Sequence, residues 1–319
     1  MLVGGRSQGQ NTGGLRWLRD GAILAPGCPA LPTPDTSDDL STSLTILLDA
    51  HVHLHGSFDS TGFLDNARAN FRAAAVRTSR PGSVGCLWLV DTPEERSFRR
   101  LDQHVQSGRL KGWSLSYTAE PTSLVARHQS GDTLFLLAGR QIATRERLEV
   151  LALGTETDFP PGQSLSETLT GVRESGAIAV IPWGFGKWWF SRSRLLAATL
   201  TSWSGNGLFI GDNGGRPRAI RHPRLFELAA SHGIYNLPGS DPLPLGWEIR
   251  KPGRLGAVLD GLLDLSRPTA SLLQTLRTLR AQPPLFGCSE SLAGFVRSQV
   301  GLRLRARTAP APAEPAGGH

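Results

Sequence analysis

Leu47-Leu48-Asp49-Ala50-His51-Val52-His53-Leu54-His55 is the stretch on which the reading of this chain turns. An apolar run enters it and an alternating one leaves it. On an extended strand successive side chains point to opposite faces. That alternation sets Asp49, His51, His53 and His55 on one face, with Ala50, Val52 and Leu54 on the other. A strand that starts buried and turns one face wholly polar suits an α/β fold with its chemistry at the C-terminal strand ends. Imidazoles two residues apart sit about 6–7 Å apart at Cα, near enough for both rings to bend toward one divalent ion at about 2.0–2.1 Å. Asp49, two positions before His51, is placed either to orient a ring or to ligate. Three of the eight histidines fall in this stretch and the other five are scattered, which sets it apart from an ordinary solvated strand end.

Outward from that strand, short apolar segments alternate with helical patterns. A helix is expected over 61–77, carrying Phe63, Leu64, Ala67, Phe71 and Ala74 on one face. A strand over 84–90 follows, then a helix opened by Pro93-Glu94-Glu95. Strands are expected over 112–117, 134–137 and 148–153, the last reached through a polar link from Arg140 to Arg147. Next come a helix over 165–175, strands over 177–181 and 208–210, a helix over 223–231 and a last strand over 234–237. Helices over 255–263, 270–280 and 289–300 close the chain. Such alternation predicts parallel strands joined by crossovers. The fold class is therefore α/β, a distorted, TIM-like (βα) barrel of seven or eight strands over 44–305. An irregular Pro- and Gly-rich arm over 1–43 precedes it, and an Ala/Pro/Gly tail over 306–319, expected to be disordered, follows.

Composition bounds the function. The chain has 319 residues, 39% hydrophobic and 19% charged, enough to bury a core and too apolar for wholesale disorder. No apolar run reaches the roughly 18–20 residues of a membrane span. Met1 to Gln10 lacks the apolar segment of a secretory leader, so a cytoplasmic protein is expected. Cys28, Cys86 and Cys288 are too few and too scattered for a disulfide framework or a zinc ribbon. The net charge of +7 rests almost wholly on arginine, Lys111, Lys187 and Lys251 being the only lysines, and no long basic block occurs. Nucleic acid is therefore not the expected partner, while a small anionic substrate is compatible with the charge.

Three further segments carry candidate chemistry. Leu237-Pro238-Gly239-Ser240-Asp241-Pro242 ends the expected last strand with a carboxylate after a tight glycine turn, so Asp241 either caps a loop or meets His51 and His53 as ligand or base. Pro182-Trp183-Gly184-Phe185-Gly186-Lys187-Trp188-Trp189-Phe190 places Lys187 among five aromatics in the loop after a strand. There it is a point cation for a phosphate or an oxyanion, the aromatics forming a lid. Gly211-Asp212-Asn213-Gly214-Gly215-Arg216 brings a carboxylate, an amide and a guanidinium together, as an ordinary Asx turn or as a substrate contact.

These residues, in this order, resemble the polymerase and histidinol phosphatase (PHP) superfamily. The similarity runs from Asp49-x-His51-x-His53, through Gly139-x-Gln141 and Gly176-Ala177-Ile178-Ala179-Val180, to Gly239-Ser240-Asp241. The resemblance implies a distorted seven-stranded barrel holding up to three metal ions and hydrolysing phosphoesters. It matches His51 and His53 to the opening His-x-His ligands, Asp59 loosely to a ligand soon after, and Asp241 to the closing Asp-x-His. This chain departs from the pattern at Gln141 in place of a bridging glutamate, at Ile181-Pro182 in place of His-Pro, and at Leu243 in place of the last histidine. With those ligands missing, fewer than three ions are expected, one of them Zn, Mn or Fe held by His51, His53 and Asp241 with water.

The expected function is therefore a metal-dependent, phosphoesterase-like hydrolase of a small anionic substrate. His51, His53, Asp241, Asp49 and Asp59 are its candidate metal residues, and Asp241 and Lys187 its candidate catalytic residues. Arg216, Asn213, Asp212 and Arg140 are the candidate substrate contacts. Two alternatives stay open. One is a catalytically degenerate barrel acting as a binding or scaffold protein. The other is an amidohydrolase-type enzyme, for which none of His104, His128, His222 and His232 falls at a middle-strand end.

Overall fold

The computed structural model describes residues 41–108, 110–203, 206–218 and 224–308. The arm over 1–43 and the tail over 306–319 fall almost wholly outside these residues, as do Cys28, His222 and Pro223.

The first strand, β1 (Ser41–Val52), lies inside the sheet with neighbours on both sides. From Ile46 to Val52 every residue on it is buried, Leu47, Leu48 and Ala50 among them. It pairs in parallel with β2 (Val84–Asp91), which pairs in parallel with β5 (Thr133–Ala143). Beyond these the sheet turns antiparallel through β6 (Glu149–Leu153) to β7 (Ile178–Pro182), then parallel again to β8 (Leu208–Gly211). A hairpin of β3 (Trp113–Tyr117) and β4 (Ser123–His128) flanks β5, and β4 had no counterpart among the expected strands. On its other edge β1 pairs antiparallel with β9 (Gly256–Asp264), and β9 with the two-residue β10 (Leu285–Phe286). The sheet is mixed, not the all-parallel one that the alternation predicted.

Two corrections follow from particular residues. The segment expected as a helix over 255–263 is strand β9, because an apolar run this short satisfies either period. Gly256 leans against the Leu48 carbonyl, an approach any side chain would block. The expected last strand over 234–237 does not form one. Leu237 N–H donates to the Ile210 carbonyl at 2.8 Å and Gly239 N–H to that of Asp212 at 3.0 Å. On the other side, Ala50 N–H reaches the Pro238 carbonyl at 3.2 Å. Proline has no N–H to continue a ladder, so the segment meets β8 and the residues after it in isolated bridges, Ile210 with Asn236 and Asn213 with Gly239, and meets β1 by separate hydrogen bonds. The sheet curls as a distorted barrel but is not closed by regular strands.

Helices cover the curl. α1 (Ser60–Arg77) buries the expected Phe63, Leu64, Ala67, Phe71 and Ala74, and Asp59 caps it by accepting from Gly62 N–H at 2.7 Å. α2 (Ser97–Ser107) begins after the Pro93-Glu94-Glu95 signal, since Asp91 at the end of β2 accepts from Ser97 N–H (2.9 Å) and Phe98 N–H (3.2 Å). α3 (Leu165–Glu174) carries a capping box between Ser164 and Glu167. α4 (Ser191–Ser202) directly follows the aromatic loop, and α5 (Arg224–Ser231) follows β8. A 3-10 turn over Gly246–Arg250, then α6 (Pro268–Arg277) and α7 (Leu292–Thr308), complete the described chain. No helix among the described residues is long and apolar enough to cross a membrane.

One irregularity in β1 decides what points where. Asp49 pairs with Leu87 and Val52 with Leu89, so β1 spends one more residue than β2 over the same span. This is a β-bulge, and it shifts the alternation by one. Ala50 lies with Ile46 and Leu48 in the core that meets Leu272 and Leu276 of α6. Val52 and Leu54 lie with Leu47 in the core against Phe63 and Phe71 of α1.

Candidate metal centre

The bulge separates Asp49 from the imidazoles that strict alternation grouped with it. Asp49 is fully buried, and its carboxylate accepts from Ser240 N–H and Gly253 N–H, both at 2.8 Å, and from His51 N–H at 3.4 Å. Burial pushes its pKa up to about 7, against the hydrogen bonds that pull it down. Asp49 ties three backbone segments together and stands outside the ligand cluster.

Beyond the bulge the rings converge. His51 Nε2 and His53 Nε2 lie 3.1 Å apart, and Asp241 Oδ1 lies 3.5 Å from the first and 3.7 Å from the second. Two ligands about 2.1 Å from a common ion stand roughly 3.0–3.4 Å apart at octahedral or tetrahedral angles. The three atoms therefore have nearly the spacing of a coordination shell. Among the described residues they form the one His/Cys/Asp/Glu group of that kind. A fourth donor comes from the residue that the missing charge had discounted: Gln141 Oε1 sits 3.1 Å from His51 Nε2. An amide oxygen ligates hard cations without adding charge.

The donor chemistry fits a divalent cation. Both rings are buried, and neither His51 Nδ1 nor His53 Nδ1 has a hydrogen-bond partner among the described residues. An unprotonated Nε2 on either ring aims its lone pair at the shared point, where a cation can take it up. Burial lowers the His53 pKa to about 4, and neighbouring His51 adds to this, so His53 is neutral as a ligand must be. Burial raises the Asp241 pKa, but His51, His53, Lys187 and Lys251 outweigh it and leave the carboxyl below its usual range.

Asp241 is held from all sides. Its φ of 44° lies in the left-handed region that non-glycine residues seldom occupy. Its N–H donates to the His51 carbonyl at 2.8 Å, and Asn213 Nδ2 donates to its Oδ2 at 3.0 Å and to the Trp183 carbonyl at 2.7 Å. His55 steadies the next residue: its Nε2 is 2.8 Å from the Pro242 carbonyl, and its Nδ1 is 2.9 Å from Glu95 Oε1. Burial raises the Glu95 pKa, yet the hydrogen bond and charge of His55 bring it net below normal.

A cavity of about 390 Å³ opens from the cluster, lined by His53, Gln141, Asp241, Asn213 and Lys187 on its polar side. Lys187 pairs with Glu149 there. Lys251 lines it too, ion-paired with Glu248 at 2.8 Å and Glu290 at 3.2 Å. Four expected residues are elsewhere. Asp59 is exposed and caps α1. Asp212 and Arg216 pair with each other, Nη2 to Oδ2 at 2.6 Å, away from the cavity lining. Arg140 alternates with Gln141 along β5 and pairs with Asp158 beside a different cavity.

No protein-family model matches this sequence, and no curated protein does. Among solved structures, PsfC from Pseudomonas syringae PB-5123 is similar at a TM-score of 0.50 and 16% identity, over 82% of this chain and 99% of PsfC. The lesion-specific endonuclease PfuEndoQ from Pyrococcus furiosus is similar at a TM-score of 0.47 and 10% identity, over 82% of this chain and 66% of its own. At 16% identity the likeness to PsfC speaks to the fold alone.

Proposed function

We propose that the protein is a metal-dependent hydrolase of small phosphoesters, with a PHP-like arrangement reduced to one cation. The observation that carries this reading is the convergence of His51 Nε2, His53 Nε2 and Asp241 Oδ1 within 3.7 Å of one another at the head of a cavity. These three, with Gln141 Oε1, would hold a divalent ion such as Zn, Mn or Fe. When bound, such an ion supplies Lewis acidity and lowers the pKa of its water toward about 7.

The chain's own residues do the rest. A single carboxylate against two positive charges leaves the centre net positive, which favours an anionic substrate over a neutral one. Lys187 adds a mobile cation on the same wall, 41% exposed and able to swing from Glu149 to a phosphoryl oxygen. Asn213 fixes Oδ2 of Asp241, leaving Oδ1 directed at the imidazoles as a ligand or a proton acceptor. The reading is tested by metal analysis of the purified protein and of a His51→Ala/His53→Ala variant, with hydrolysis of a phosphomonoester panel after Zn, Mn or Fe loading. Stoichiometric cation and turnover in the wild type, both lost in the variant, are expected. A wild type that binds no cation, or a variant that binds as much, overturns the proposal. Bound cation without turnover on any phosphoester would favour the binding-protein alternative.

A further inference from the structure

Beside its polar residues the cavity is lined by apolar ones that metal binding does not require. Phe185 and Trp183 from the loop after β7, Leu243 and Pro244 from the segment after Asp241, and Phe295 and Leu302 from α7 line it. Phe185 is 46% exposed although Trp183, Trp189 and Phe295 pack on it, at 6.4, 4.9 and 5.0 Å between ring centroids. A large ring left open inside a site is apolar surface that a ligand can cover.

The apolar lining is built in place. Arg297 of α7 stacks on Trp247 of the 3-10 turn, 4.4 Å from the ring centroid, and Ser298 Oγ donates to Glu248 Oε1 at 3.0 Å. Gly301 lets Trp247 lie against the helix, since a Cβ there would come within 3.0 Å of the indole. Phe295 is therefore presented to the cavity by an anchored helix, and Phe185 reaches it from an independent loop. Two elements distant in sequence supply adjoining aromatic rings beside the cation ligands.

We infer that the substrate is amphiphilic: a small phosphoester whose phosphoryl end meets His53, Asp241 and Lys187 and whose leaving group is apolar and aromatic, lodged against Phe185, Phe295 and Leu302. This rests on the hydrolase reading and narrows its substrate class. A cavity of about 390 Å³ is near the lower bound of small-molecule sites and suits a compact ligand of this kind. Phe185 and Phe295 are specificity residues that select the leaving group, while the anion is bound by the polar lining residues.

Phenylphosphonate and methylphosphonate test this, as hydrolysis-inert anions with one head group and different bodies. Calorimetric titration of the Zn-loaded, full-length protein should show phenylphosphonate binding at least about tenfold more tightly, a difference near 1.4 kcal/mol. Phe295→Ala and Phe185→Ala should each cut that preference and leave the methylphosphonate affinity unchanged. Thermal melts establish that both variants are folded, and the milder Phe295→Leu should lose part of the preference. Equal affinities in the wild type, or a preference that survives both alanine variants, overturn the inference while the hydrolase reading stands. If neither phosphonate binds, both fall together.

Discussion

The backbone N–H of Asp241 donates to the carbonyl oxygen of His51 at 2.8 Å, so the acid and one imidazole of the cluster are joined through main chain before any ion joins their side chains. The approach is so close that Gly239 has no room for a side chain: a Cβ there would strike the backbone of His51. Gly239→Ala should push the segment off β1, destabilise the fold by about 1–3 kcal/mol as overpacking does, and weaken cation binding in parallel. Urea denaturation and metal titration of the variant would show both effects, and a variant with wild-type values for each contradicts the account.

Gln141 makes a sharper claim about the ion. Its Oε1 is 3.1 Å from His51 Nε2 and carries no charge. Gln141→Glu keeps the shape and adds a negative ligand, so cation affinity should rise at least about tenfold, ionised partners forming the stronger contacts. Competition with a chromophoric chelator measures it. Unchanged affinity would place Gln141 outside the coordination shell.

The pH response of the metal-free fold follows from His53. In the folded chain burial keeps this ring neutral down to about 4, whereas an unfolded histidine takes its proton near 6.5. Between those values the unfolded state binds the additional proton, so stability falls as the pH drops through the window and is unaffected by this group above it. The full excursion amounts to about 3 kcal/mol. His53→Gln should lose this component, which is read as the difference between wild-type and variant urea midpoints at pH 6.5 and pH 4.5.

Asp49 should prove structural. It accepts N–H donors from His51, Ser240 and Gly253, so Asp49→Asn turns an amide NH₂ toward at least one of those N–H groups. The unmet donor costs about 1–3 kcal/mol, detectable by chemical denaturation. A variant as stable as the wild type would show that Asp49 does not hold these segments together.

The histidine strand, α1 and its buried face were legible in the sequence because they rest on periodicity, whereas Asp59, read as a loose metal ligand, is the cap of α1. The placement of Asp49 was not, since a single bulged residue between Asp49 and Val52 flips the alternation and leaves no mark in composition. Strand β9 read as a helix because the mostly apolar run from Leu255 to Leu263, interrupted by Asp260, is too short to separate the two periods, and only pairing with β1 selects the extended form. Pairing also decided Arg216 and Asp212, adjacent in a promising loop yet engaged with one another. Gln141 was found and set aside on charge, although position rather than charge brings its oxygen to His51.

The candidate ligands stand on both sides of a seam without regular strand pairing, His51 near the end of β1, His53 just beyond it and Asp241 on the irregular segment beside them. A cation held by all three would act as a rivet across that seam. Its release would have to precede or accompany unfolding, so occupancy at a hundredfold excess over Kd would add about 2.7 kcal/mol to the fold. A chelator would then do more than silence chemistry: it would loosen the molecule where the segment carrying Asp241 meets β1.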